Sequence, residues 1–389
     1  MFSPLRMLLL ISSTLIPLAG IYVYLYRRFI RDLGLVNWKK RIAVTSGVAL
    51  VSFSLLSRGL SFYFPSLTNR WLSFWGAVWA GVVLYLLFFR IGLELIERVR
   101  SRVLKKAVPN SPERRVFISR MLAGTSAIAS GTFSGYGISE AMQLPQVTEI
   151  VVRLPQLPKS LDGFTMVQLS DLHIGGILQK QFVDGLISRA NALHPDLIAI
   201  TGDLVDGNVA RLGGFVAPLR NLKSRHGTYF VTGNHDYYSG VEPWVRAIGQ
   251  LGITVLRNRF ISIGDSGGSF DLIGVDDWNA RHWKEGGYDL ERALRGRQPE
   301  RASVLLAHQP SNFEVVAKRG IGLQLSGHTH GGQLFPGNLV VRALLGPRVS
   351  GYSAIDQSQI YVSRGCGFVG PPMRVGSPPE LVKIVLLAT

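Results

Sequence analysis

The sequence predicts an α/β domain, with strands enough for two sheets, behind an N-terminal region of transmembrane helices. Two observations carry this. From about residue 145 onward, short apolar runs each end in a polar cluster, with helical spacing between them. Before that point the chain holds long stretches almost free of charge.

The N-terminal stretches come first. Met7–Tyr26 is an uncharged run of 20 residues, and Trp71–Phe89 a second of 19. Either is about the length that crosses a ~30 Å hydrocarbon core as a helix. Trp71 and Trp75 stand where an interfacial aromatic belt lies. A shorter apolar segment, Ile42–Leu56, continues past Arg58 to Phe64 and gives a third span. The expected organisation is transmembrane helices within 1–110 (about 7–26, 42–64 and 71–93). A twin-arginine-like segment, candidate fourth span and linker over 111–146 and the α/β domain over 147–389 follow. The 389 residues are 47% apolar and only 17% charged, a balance unusual for a soluble enzyme.

The net charge of +17 is unevenly spread. Residues 1–144 hold 18 Lys/Arg against 5 Asp/Glu, so most of the excess belongs to this third. Cationic loops between spans explain it better than nucleic-acid binding, and no nucleic-acid partner is expected. The loop from Arg27 to Arg41 is strongly basic and should face the cytoplasm; Pro65 to Arg70 is nearly neutral and should face out. Arg98, Arg100, Arg102, Lys105 and Lys106 return the chain to the cytoplasm.

Arg114-Arg115 then precedes a weakly apolar stretch, 116–138. The pair resembles a twin-arginine export signal, although it is internal and Glu113 replaces the usual hydroxyl residue. The other reading is an amphipathic surface helix. If 116–138 crosses, the catalytic domain lies outside the cytoplasm, on a bacterial inner membrane. Cys366 is the only cysteine, so neither an intramolecular disulfide nor a thiolate metal cluster is possible.

In the catalytic region, Thr165–Leu169 leads into Asp171 and His173, and Asp196–Ile200 into Asp203. Gly227–Val231 leads into Asn234, His235 and Asp236. Ala302–Leu306 leads into His308, and Ile321–Leu325 into His328 and His330. Such runs read as buried strands, with Asp271–Val275, Gln359–Val362 and Leu381–Leu387 as further ones. Lys180–Leu193 has helical spacing, with Phe182, Leu186 and Ile187 on one side. One Asp-x-His or Gly-Asp is weak evidence; five polar clusters at strand ends are not.

On an extended segment residues i and i+2 face the same way, so Asp171/His173 and His328/His330 can each address one ion. Gly331 and Gly332 let the chain turn sharply behind the second pair. Mixed carboxylate and imidazole ligands suit manganese, with iron or zinc as alternatives, better than calcium. Two ions ~3.5–4 Å apart need an anionic bridge, for which Asp203 is the candidate. His235 fits a general acid, and Asp236 either orients it or caps the loop.

In order, Asp171-x-His173, Gly202-Asp203, Gly233-Asn234-His235-Asp236, His308 and Gly327-His328-Thr-His330 resemble the calcineurin-like metallophosphoesterase superfamily. The strings Gly202-Asp-Leu-Val-Asp-Gly207 and Leu325-Ser-Gly-His-Thr-His-Gly-Gly-Gln333 resemble its bacterial membrane-associated branch. The resemblance implies a four-layer α/β/β/α sandwich with two divalent ions between the sheets, activating a hydroxide for attack on phosphorus. It gives the first ion to Asp171, His173, Asp203 and His330, and the second to Asp203, Asn234, His308 and His328. His235 would be the acid near the leaving group.

The implied substrate is a phosphate ester, a phosphodiester or pyrophosphate, and a membrane tether favours a lipid-linked one. Some relatives cleave a UDP-linked diacylated glucosamine in lipid A synthesis; a non-catalytic membrane scaffold is the alternative of another class. Trp278, His282 and Trp283 could contact an acyl chain or a base, or simply pack. Arg364 could clamp a phosphate or face solvent.

Overall fold

The computed structural model describes residues 4–63, 70–103, 111–282 and 287–389. Trp283, Lys105, Lys106 and the loop from Pro65 to Asn69 lie outside the described residues, as do the side chains of Arg58 and His282. The chain divides into two units, Met1–Tyr136 and Gly137–Thr389.

The first unit is helical: α1 (Pro4–Phe29), α2 (Asn37–Tyr63), α3 (Arg70–Val103) and most of α4 (Pro112–Ala141). Among the described residues one helix, α3, is long and apolar enough to cross a membrane, with a mean hydropathy of 2.0 over its best window. Trp71 and Trp75 are largely exposed on it. Glu94 ties α3 to α1: its carboxylate accepts from Arg28 Nη2 and Tyr24 Oη, each at 3.1 Å, and lies 3.0 Å from Arg90 Nε. Arg90 is buried, and this carboxylate offsets the cost of removing its charge from water. The 116–138 segment is part of the unbroken helix α4, and Ser126 and Ser130 bond back to the carbonyls of Leu122 and Ser126.

The second unit contains twelve described strands: β1 (Gln146–Leu154), β2 (Phe164–Leu169), β3 (Leu197–Thr201), β4 (Thr228–Val231), β5 (Thr254–Val255) and β6 (Arg259–Asp265), then β7 (Gly268–Gly274), β8 (Ser303–Leu306), β9 (Leu323–Ser326), β10 (Gly351–Ile355), β11 (Ser358–Val362) and β12 (Glu380–Ala388). They form two six-stranded sheets, ordered β1-β12-β2-β3-β4-β5 and β10-β11-β9-β8-β7-β6. The helices are α5 (Lys180–Asn191), α6 (Val209–Val216), α7 (Asn234–Tyr238), α8 (Val241–Gln250), α9 (Leu290–Leu294), α10 (Phe313–Lys318) and α11 (Gly337–Leu345).

Period-two alternation builds the layers. Met166, Leu197, Ala199 and Val231 of the first sheet meet Val304, Leu306, Leu323 and Leu325 of the second in one core. The intervening residues Val167, Ile198, Ile200 and Phe230 point the other way, against Leu186 of α5, Leu212 of α6 and Trp244 of α8. On the second sheet Leu305, Ile360 and Val362 likewise pack against Phe313 and Val316 of α10. Because β2, β3 and β4 are mutually parallel, as are β8 and β9, their carboxyl ends lie side by side.

Candidate metal centre

Every proposed ligand lies just beyond one of those strand ends, but the backbone there is not extended. Asp171, His173, Asp203, His328 and His330 all have left-handed φ, from 46° to 73°. Alternation along a strand is therefore not what aims these pairs. A tight reversal after each strand turns their side chains inward. Left-handed backbone costs a non-glycine residue about 1–3 kcal/mol, and such strain clusters at functional sites. Gly331 and Gly332, at φ of 59° and 76°, provide the turn behind His330. At Gly233 even a Cβ would collide with the Asp203 carboxylate.

Three overlapping side-chain sets result. Asp171, His173 and His330 form the first group, Asp203, His308 and His328 the second, and His173, Asp203 and His235 a set between them; within each, the candidate donor atoms lie within 4.8 Å of one another. Asp203 joins them: its Oδ2 lies 3.8 Å from His173 Nε2 and 3.2 Å from His308 Nε2. Asn234 belongs to the second group on chain position, one residue past Gly233. Its buried Oδ1, with His308 Nε2 and His328 Nδ1, makes no hydrogen bond among the described residues. Buried polar atoms are ordinarily satisfied, so orphaned atoms on His308 and His328 beside the Asp203 carboxylate, with a third on Asn234, fit a cation.

The first group is organised by a chain of contacts. Arg374 Nη2 lies 3.0 Å from His330 Nδ1, His330 Nε2 lies 3.1 Å from His173 Nε2, and His173 Nδ1 lies 3.1 Å from both Asp206 oxygens. Donor and acceptor roles follow from the ends: guanidinium only donates and carboxylate only accepts. His330 Nδ1 is then an acceptor and His173 Nδ1 a donor, and the two Nε2 atoms face each other across the place where a cation would sit. In the second group, His308 Nδ1 faces the Thr201 carbonyl at 2.8 Å, and its Nε2 is the nitrogen turned towards Asp203.

The electrostatics divide the imidazoles in the same way in both groups. Burial works against charge on His173, but Asp206 and Asp203 outweigh it and raise the pKa to about 9. His308 is likewise opposed by burial and raised well above its usual value by Asp203. Burial and Arg374 push His330 well below its usual value, and burial with His308 takes His328 down to about 4. Asp203 itself, despite burial, is held far below the carboxylate range by His308 and His173. The pocket thus demands positive charge, which divalent ions supply.

His235 lies beside His173 and Asp203 but differs from the ligands in exposure. Its side chain is 27% exposed, whereas those of His173 and His308 are almost fully covered. Its backbone amide donates to Asp203 Oδ1 at 2.8 Å, and its Nδ1 lies 2.7 Å from Asp206 Oδ1. Asp206 is a residue the sequence reading missed. Burial disfavours its charge, yet the imidazoles of His173 and His235 hold its carboxyl well below the usual range.

Asp236 does not orient His235. Its buried carboxylate accepts from the amides of Asp203, Leu204, Val205 and Gly233 at 2.8–3.3 Å. It is the loop-capping aspartate of the alternative reading, and it fixes the bridge-bearing turn. Arg364 is not directed at a phosphate. Its guanidinium donates to buried Glu380 at 2.5 Å, and its amide donates to the same carboxylate at 2.7 Å. Trp278 packs edge-to-face on Tyr288, with centroids 4.9 Å apart.

Comparison with known proteins adds three findings. The family model for calcineurin-like phosphoesterases matches residues 164–332. A "Transmembrane protein with metallophosphoesterase domain" of Danio rerio is 35% identical over 360 residues, 89% of this chain and 80% of that one. That span exceeds the second unit and so includes part of the helical one. Uncharacterized metallophosphoesterases of Campylobacter jejuni (31% identical, covering 92% of this chain and 93% of that one) and Helicobacter pylori (36%, covering 71% and 73%) extend the likeness to bacteria. With all five motif blocks gathered at the carboxyl ends of strands from both sheets, the chain belongs to the calcineurin-like metallophosphoesterases, metal-binding hydrolases of phosphoric esters.

Proposed function

We propose that this protein is a membrane-embedded hydrolase of a phosphodiester or pyrophosphate bond in a lipid-linked substrate, working with two divalent ions, manganese first. The carrying observation is the placement of Asp203 between two imidazole groups, with the exposed His235 beside it. Asp171, His173 and His330 would hold one ion, Asn234, His308 and His328 the other, and Asp203 both. Ions so held supply Lewis acidity toward phosphoryl oxygens and lower the pKa of water.

The chain's own residues do the rest. His235 protonates the departing oxygen: its Nδ1 is engaged by Asp206, so Nε2 is the nitrogen left for substrate. Asp206 fixes the orientation of the ring. Asp236 holds Asp203 in place through backbone amides.

Membrane placement is supported by the apolar length of α3 and by the printed names of animal relatives. In this reading α1, α2 and α3 all cross a cell membrane, with the basic loop after α1 on the cytoplasmic side. Segment 116–138 within α4 crosses as well and places the catalytic unit outside.

The test is turnover by the purified full-length chain in mild detergent with manganese, iron or zinc. The panel is an aryl phosphodiester, a lipid pyrophosphate, a phospholipid and a cyclic nucleotide. Metal-dependent hydrolysis, fastest on a lipid phosphate or pyrophosphate, is the expected result. Turnover of none of them with any of the metals overturns the enzyme reading; a cyclic-nucleotide preference overturns the lipid link. Protease access to the catalytic unit from the outer face of spheroplasts tests its side.

A further inference from the structure

Helix α11 begins seven residues after His330 and turns an apolar face to solvent. Leu339 is 56% exposed, Val340 57% and Leu344 78%, with Ala343 exposed beside them. At 100° per residue, positions 339, 340, 343 and 344 cover one arc of about 140°. Tyr352, on the strand that follows, is 55% exposed. A water-facing helix ordinarily shows the reverse pattern, and contiguous exposed apolar surface marks an interaction site.

This helix is fastened to the metal loop at both ends. Gly332 lies so close to Asn338 that a Cβ there would collide with it. Beyond the helix, the carbonyl of Val349 accepts from Thr329 Oγ1 at 2.5 Å, and Thr329 separates His328 from His330. Whatever α11 rests on is therefore brought to the ligands themselves. From Gly331 to Ile355 the sequence has Arg342 and Arg348 and no carboxylate, and Arg348 is paired with Glu314 of α10 at 2.6 Å. Arg342 is exposed one turn from Leu339, at the rim of the apolar arc. Aliphatic side chains with an exposed arginine at their rim complement an acyl layer beneath anionic headgroups.

We propose that α11 is an interfacial strap that seats in the bilayer surface, so that the metal centre acts on phosphate esters while they remain in the lipid layer. This rests on the phosphoesterase reading above and adds to it the physical state of the substrate.

The experiment uses the full-length chain in vesicles of phosphatidylcholine with phosphatidylglycerol. In Leu344→Cys an environment-sensitive fluorophore is attached at 344; Cys366 is buried. Lipids carrying a quencher in their acyl chains should extinguish most of the emission, independently of protein-to-lipid ratio. Absence of quenching overturns the proposal. A signal that depends on protein density instead assigns the face to a second copy and also overturns it. In parallel, L339Q/L344Q should leave hydrolysis of a soluble aryl phosphodiester unchanged and lower hydrolysis of a vesicle-embedded lipid phosphodiester at least tenfold. Equal loss on both substrates, or loss on neither, overturns it. If the unaltered chain hydrolyses neither substrate, the catalytic reading fails, while the quenching result still decides the bilayer contact.

Discussion

Asp171, His173 and His330 each lean on a further protein group: the Ser170 hydroxyl and the His328 amide, the Asp206 carboxylate, and the Arg374 guanidinium, respectively. Across the Asp203 bridge, Asn234 Oδ1 and His328 Nδ1 have no such support among the described residues, and His308 leans only on a backbone carbonyl. The first half is preassembled by side chains. The second offers bare donor atoms whose desolvation is offset only when an ion arrives. Substitutions behind the ligands should therefore separate the two halves.

The largest effect is expected where the halves join. Asp203→Ala should abolish binding of both ions and lower kcat/KM on the order of 10³-fold or more, since several kcal/mol of charge stabilisation goes with them. Metal analysis after dialysis, run beside the assay, checks this; retention of either ion would separate the halves more completely than the bridge allows. His235→Ala comes next, with turnover down about 10²–10³-fold and both ions kept. Equal metal loss in the two variants would show that His235 is a ligand and not the acid.

Asp206→Asn is the sharper instrument. It should weaken ion binding in the first half about 10–100-fold and leave the second untouched, because among the proposed ligands His173 loses its carboxylate, while His235 loses the same partner. Two-phase manganese titration followed by paramagnetic resonance would resolve this; a uniform shift of both phases would erase the contrast. The smallest effect is that of pH. His173 stays protonated below about pH 9, and an ion requires the neutral ring. First-half affinity should therefore climb about tenfold per pH unit from 7 towards 9 and then level off. Equilibrium dialysis over that range checks the slope, and a flat profile would mean that ion binding displaces no proton from His173.

Strand ends were readable because burial on both faces forces uninterrupted apolar runs, so the polar residue that breaks each run stands out. Asp171, His173, Asp203, Asn234, His308, His328 and His330 all sit at such breaks. Asp206 was harder to see. It lies three residues past Asp203 in a loop, a spacing with no periodic meaning, and only the fold brings it against His173 and His235. Arg374 is further from any local signal: it serves a histidine 44 positions earlier and sits in an irregular segment rich in proline and glycine. Asp236 and Arg364 misled for a related reason. Adjacency in sequence suggested a partner, yet helix α7 turns Asp236 away from its neighbour, and a buried glutamate holds Arg364. The left-handed ligands were invisible as well, since their side chains are those an extended segment would also use.

Cys366 lies behind the first half of the centre. Its amide donates to the Ser170 carbonyl and that of Gly367 to the Asp171 carbonyl, each at 2.8 Å. Burial pushes its thiol up to about 12, so alkylating reagents meet neither thiolate nor access while this layer is closed. In a chain with one cysteine, the alkylation rate becomes a clock for opening of that layer. The slowing produced by added manganese then reads out, without any substrate, how firmly the cation locks the loops shut.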